Sequence, residues 1–193
     1  MRAFLLCFVP LFAAIDPPGL APVFLSVTAS KDRPARRRLV VQAITAAFFI
    51  GVAFFLGGLT LLNFLGVTVA DMRVAGGGLL FIFAMMDLFM TGKPSVHEDE
   101  SLGIVPLATP LIVGPAVLSL SLVLVQQHGT FNAVGALVAN LAILAAVLWY
   151  SDEVLRVVPL NAMRAISKVI DLLLATIGVM MIREGVMTML STP

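Results

Sequence analysis

Charge is what this sequence has least of. Of 193 residues, 12 are Lys or Arg and 11 are Asp or Glu, whereas 60% are hydrophobic. A soluble domain has roughly a quarter of its residues charged, so the scarcity points to an integral membrane protein. The net charge of +1 excludes nucleic-acid binding, which draws its affinity from many phosphate contacts. The single cysteine, Cys7, lies in an apolar segment and can form no internal disulfide. His97 and His128 stand apart in polar connections, and with no second histidine at ligand spacing, no metal site is expected. The methionines Met85, Met86, Met180 and Met181 read as core or lipid contacts for the same reason, since no cysteine or histidine joins them. There is no HExxH pattern, which removes zinc proteolysis. Short alternating segments of the kind that build barrel strands are absent too.

What is present is a series of long apolar runs. A helix needs about 20 residues to cross a bilayer, and that length divides the chain into six spans, roughly 3–29, 39–64, 70–91, 102–126, 131–150 and 167–189. The first begins at Met1-Arg2 and has the outline of a signal peptide. Its apolar run continues past two prolines, however, so an uncleaved span is expected. The connection after span 1 carries Lys31, Arg33, Arg36, Arg37 and Arg38. The third carries Lys93, and the fifth carries Arg156, Arg164 and Lys168. The second and fourth connections carry no Lys or Arg. By the positive-inside rule the odd-numbered connections are cytoplasmic and both termini lie outside. The acidic cluster Glu98-Asp99-Glu100 has little weight in that rule.

The first span contains Asp16-Pro17-Pro18-Gly19 near its middle. Two prolines remove two backbone donors and clash with the preceding turn, so a helix break is expected here. In lipid, each freed N–H or C=O group costs several kcal/mol unless protein or water satisfies it. A carboxylate at the same depth adds to that cost. Such a concentration of penalties marks a buried polar site.

Sliding the chain along itself by about 95 residues brings Gly19, Ala21, Leu25 and Ser26 onto Gly114, Ala116, Leu120 and Ser121. The same offset brings Val74, Leu79, Ile82, Met85 and Met86 onto Val169, Leu174, Ile177, Met180 and Met181. A second break, Thr109-Pro110-Leu111-Ile112-Val113-Gly114-Pro115, falls at matching depth. Each half holds three spans, an odd number, so the halves must enter the membrane in opposite senses. This is the inverted-repeat plan of many secondary transporters. The expectation is an all-α membrane protein of one domain, 1–193. Its six transmembrane helices form two inverted three-helix repeats, about 1–92 and 101–190, with spans 1 and 4 broken at the Pro/Gly motifs.

The stretches LFAAIDPPGLAPVFLSVT, RVAGGGLLFIFAMMDLF and VPLATPLIVGPAVLS resemble the MarC family of bacterial inner-membrane proteins. The motif residues are Asp16, Pro17, Gly19, Pro22 and Phe24; Ala75, Gly76 and Gly77; and Pro106, Pro110, Gly114 and Pro115. Pro18 and Ala116 depart from the usual family pattern. The resemblance covers nearly the whole chain, including six spans and an internal duplication. It implies a bacterial inner-membrane location and a small-solute transporter, some relatives being linked to neutral amino acids.

Chemistry supplies the same layout. A half-helix starting just after Gly19, and another near Pro115, would present free N–H groups to a carboxylate. Asp16 would receive an ammonium group or carry a coupling proton. The candidate substrate-binding set is Asp16, Pro17, Pro18, Gly19, Thr109, Pro110, Gly114, Pro115 and Asn140, with Asp16 also the coupling group. Two alternatives stand beside these readings: Asp16 as a plain N-cap, and Asn140 as an interhelical hydrogen-bonding residue. Asp87 and Asp171 are expected near the cytoplasmic ends of their helices, at the membrane interface, with Asp171 suited to a helical pair with Lys168 three residues before it. The expected partners are the lipid bilayer and a small-molecule substrate, with a homo-oligomer left open; no cofactor is expected, and no enzyme activity. Rival classes are a carrier of lipid, isoprenoid or drug-like molecules, and an intramembrane enzyme. An aspartyl mechanism would need two carboxylates sharing one site.

Overall fold

The computed structural model describes residues 1–89 and 112–191, and all eight elements among them are α-helices. They are α1 (Arg2–Ile15), α2 (Pro17–Val27), α3 (Arg33–Leu65), α4 (Val69–Phe89), α5 (Pro115–His128), α6 (Thr130–Trp149), α7 (Ser151–Val157) and α8 (Leu160–Ser191). Five stretches are long and apolar enough to cross a membrane: Arg2–Val27, Arg33–Leu65, Val69–Phe89, Thr130–Trp149 and Leu160–Ser191. With 14 residues, α5 reaches only about 21 Å at the α-helical rise, short of a hydrocarbon core of about 30 Å. Residues 102–111 of the expected fourth span, including Pro106, Thr109 and Pro110, lie outside the described residues, as do Lys93, His97 and Glu98-Asp99-Glu100.

Local chemistry sets the ends. Asp32 caps α3 by accepting the Ala35 N–H at 3.0 Å, with a proline in the first turn. Gly66 closes the helix at φ 69°, in the left-handed region where glycine is at ease. Thr68 and Asp71 form a reciprocal capping box at the start of α4. The Asp71 N–H donates to Thr68 Oγ1 at 3.2 Å, and the Thr68 N–H donates to Asp71 Oδ2 at 2.8 Å.

Two helices start earlier than hydrophobic length alone suggests. The basic segment from Arg33 belongs to α3, because Asp32 and Pro34 form a good helix start whatever the polarity that follows. Likewise α8 begins at Leu160 rather than near residue 167. That shift moves residues 167–171 away from the helix end, with Ile170 and Asp171 buried.

At the centre lies α5. Residues 119–125 are buried without a break, so this helix has no lipid-facing stripe. It packs against α1, α3, α4 and α6. Beside it, α4 and α8 make the most extensive contact in the fold. A Cβ on Gly77 would stand 2.5 Å from the Gly178 carbonyl oxygen, and one on Gly185 2.9 Å from the Ala70 carbonyl oxygen. Rising numbers on α4 therefore meet falling numbers on α8, and the two helices are antiparallel. Gly76 and Gly77 permit the close packing expected of them, whereas Gly78 faces open space.

A polar joint ties the start of α3 to α7. Arg36 Nη1 lies 2.7 Å from Asp152 Oδ1, Arg33 bridges Asp152 and Glu153 at 3.6 Å each, and Arg37 stacks 4.8 Å from the centre of the Trp149 ring.

Candidate functional site at the interrupted helix

The break in the first span is one residue wide. Asp16 sits at φ 44° and ψ 65°, and it is the one non-glycine residue with positive φ among those described. Left-handed backbone is strained for a side-chain-bearing residue and persists where the surroundings enforce it. The Asp16 N–H still bonds the Phe12 carbonyl at 3.0 Å, and the Leu20 N–H bonds the Asp16 carbonyl at 3.0 Å. Because Pro17 and Pro18 open α2, the half-helix begins before Gly19 and not after it as the sequence suggested. Proline suits the first helical positions, where its missing N–H loses nothing. The carbonyls of Ala13 and Ala14 are left without the donors that residues 17 and 18 would otherwise provide.

The Asp16 side chain turns inward. Its Oδ2 accepts the Ser167 hydroxyl of α8 at 2.5 Å, and its Oδ1 is buried with no partner among the described residues. The carboxylate lies against Gly19, near that residue's N–H, without closing a capping hydrogen bond. A Cβ on Gly19 would overlap Asp16 Oδ2 and come within 2.7 Å of Ser167 Oγ. Glycine is thus required here by space. Asp16 is held by α8 through Ser167 as well as lying at the start of α2.

Two further carboxyls surround this pair. Asp171 stands one turn beyond Ser167 on the same face of α8 and is 4% exposed. It is within electrostatic reach of Asp16, Asp87 and Lys168, and Asp16 also feels Asp87. The α4–α8 register accounts for the third member: continuing the antiparallel pairing places Asp87 opposite the 168–171 turn. Asp87 is exposed, in the last described turn of α4. Asp171 is thus packed against the bundle, three turns inside the start of α8. No set of three or more acidic, His or Cys side chains among the described residues could hold a metal ion.

Gly114, Pro115 and Asn140 complete the expected residues that the structure describes. Gly114 is the extended N-cap of α5 (φ −80°, ψ 179°), and Pro115 opens that helix. Asn140 is fully buried, but its Nδ2 donates to the Phe8 carbonyl of α1 at 3.2 Å and to the Ala136 carbonyl at 2.9 Å. Phe8 is eight residues, about 12 Å of helix, from Asp16, so Asn140 ties α1 to α6. Its Oδ1 is buried without a described partner. Ser167 was missed by sequence reasoning. The available signal was a serine and an aspartate four residues apart, on one face of a helix entering an apolar run.

Long apolar helices around a largely buried one, with an interruption among the described residues that aims a carboxylate inward, define an α-helical integral membrane protein with a polar site inside its bundle. The chain belongs to the MarC family of integral membrane proteins, which it matches over residues 1–190. It is 28% identical to the UPF0056 membrane protein YhcE of Escherichia coli, over 93% of this chain and 89% of that protein. It is 32% identical to MJ0972 of Methanocaldococcus jannaschii, over 93% and 84%. It is 29% identical to the inner membrane protein YhgN of Escherichia coli, over 91% and 92%. No solved structure matches the chain.

Proposed function

We propose that this protein is a secondary transporter of small solutes, with neutral amino acids as the substrate class and a proton as the coupling ion. The observation that carries the reading is the interruption at Asp16. A strained, inward-turned carboxylate is anchored to a different helix by Ser167 and keeps one buried oxygen free of described partners. A neutral amino acid is a zwitterion. Its ammonium group matches Asp16, and its carboxylate matches the N-terminal ends of the half-helices at Pro17 and Pro115.

The architecture proposed with this function is six spans in two inverted repeats, with Thr109, Pro110 and Gly114 lining the site from the second half. The antiparallel pairing of α4 with α8, the third helices of the two halves, supports it. An inner-membrane location is supported by the name of YhgN. The orientation proposed is that of the basic connections, with both termini outside.

The carboxyls near Asp16 also bear on the rival aspartyl-enzyme reading. Such a mechanism needs two carboxyls sharing a proton. No hydrogen bond joins two carboxyls among the described residues, and Asp16 is bonded to a serine instead.

The test is uptake into proteoliposomes of labelled glycine, alanine, serine and threonine under an inward proton gradient, with Asp16→Asn in parallel. Saturable, gradient-driven uptake that the substitution abolishes is expected. Absence of uptake by folded protein, with sodium and reversed gradients also tried, would overturn the amino acid reading in favour of a lipid or drug-like substrate.

A further inference from the structure

The transport reading leaves Asp16 with two incompatible tasks, receiving an ammonium group and carrying a proton. The surrounding residues separate them. We infer that Asp171 is the proton-carrying group of this site and that Asp16 is the carboxylate that receives the solute's ammonium group. The inference rests on the transport reading for its solute half only.

Asp16 is equipped as an anion. Ser167 donates to Oδ2, the N-terminal turn of α2 lies against the same oxygen, and Oδ1 is left over inside the bundle. The Ser167 hydroxyl and the positive end of α2 suit a charged carboxylate, and an oxygen without a described partner suits an incoming ammonium.

Asp171 has the opposite surroundings. It is almost completely buried, and no hydrogen bond is among the interactions acting on it from the described residues. Its neighbours on α8 are Ile170 and Leu174, also buried. A buried carboxyl without donors is accommodated as the neutral acid far more readily than as an ion.

Among the described residues, three charged groups act on Asp171. They are Asp16 at the α1–α2 break, Asp87 on α4, and Lys168 on its own helix. Lys168 is exposed, one turn toward the basic end. Asp87 is the exposed member of the acidic set, and it gives protons a route between water and Asp171. In a cycle, the Asp171 carboxyl releases its proton to one side and takes another from the opposite side. The group returns to its starting state with one proton moved. Ser167 stands between the two roles, bonded to Asp16 and one turn from Asp171 on the same face of α8.

Infrared difference spectroscopy of the full chain in liposomes, between neutral and alkaline pH, tests the assignment without a solute. The stretching band of a protonated carboxyl should be present at neutral pH, vanish in Asp171→Asn, shift in Asp171→Glu and persist in Asp16→Asn. A band that survives Asp171→Asn and vanishes in Asp16→Asn overturns the assignment, and so does the absence of any such band. The shifted band of Asp171→Glu guards against simple misfolding of the asparagine variant.

Transport separates the same roles. In Asp171→Asn, gradient-driven alanine accumulation should fall by roughly tenfold or more, while alanine exchange without a gradient falls far less. Asp16→Asn should lose both. Equal loss of exchange and accumulation in Asp171→Asn would overturn the division of roles. If the wild type carries no amino acid at all, the transport reading fails, and the infrared result still decides where the proton resides.

Discussion

Gly19→Ala is the smallest change that reaches the centre of this account. The added Cβ would overlap Asp16 Oδ2 and stand 2.7 Å from Ser167 Oγ, so the carboxylate must leave its present position. Inserting a methyl into a packed site costs about 1–3 kcal/mol. Losing the Asp16–Ser167 hydrogen bond adds roughly 1 kcal/mol, the scale measured for interhelical bonds in membranes. Alanine returns up to about 1 kcal/mol through its better helix propensity. The net is a destabilisation of about 1–3 kcal/mol. The control is Gly78→Ala, where nothing stands within 4 Å of the new Cβ and only the propensity gain remains. Thermal unfolding of the two variants in detergent, alongside uptake in liposomes, reads both effects. Gly19→Ala should unfold earlier than wild type and lose uptake, and Gly78→Ala should do neither. A Gly19→Ala protein as stable and active as the wild type would refute the placement of Asp16 against the first turn of α2.

Gly178→Ala should be more damaging than an ordinary glycine replacement, because its Cβ would meet the Gly77 carbonyl oxygen at 2.7 Å and the Phe81 N–H at 2.9 Å. These are backbone atoms that cannot rotate away, so a loss of about 3 kcal/mol or more is expected, with a longer α4–α8 distance between paired spin labels. Asn140→Ala removes the tie to Phe8 and should lower stability by about 1 kcal/mol, while apparent substrate affinity stays that of the wild type. A double-mutant cycle of Arg36→Ala and Asp152→Ala should give a coupling of about 0.5–1 kcal/mol that weakens with added salt.

The break at Asp16 was legible because Pro17-Pro18 leaves a helix no alternative, and backbone rules act over a few residues. The family was legible from the same motifs. The five long helices were legible from apolar length, but their starts were not. Hydrophobic length measures lipid contact, whereas Asp32 and Pro34 start α3 in water. The same effect hid the rest of the site. With α8 taken to begin near 167, Asp171 reads as interfacial and Ser167 goes unnoticed, whereas the helix starts seven residues earlier and carries both within it. Asn140 shows the converse limit. A buried polar side chain is visible in a sequence, but whether it faces a cavity or a neighbouring backbone depends on packing that no local pattern encodes.

The most direct test of the central claim asks whether a solute binds where α2 meets α8. In a Cys7→Ala background, Ser167→Cys places a thiol against Asp16, and its rate of modification by a small reagent is measured in liposomes with and without saturating alanine. The account predicts that alanine slows modification several-fold, and that this protection disappears when Asp16→Asn is added. An unchanged rate in a protein that still takes up alanine saturably would place the binding site elsewhere and contradict the account.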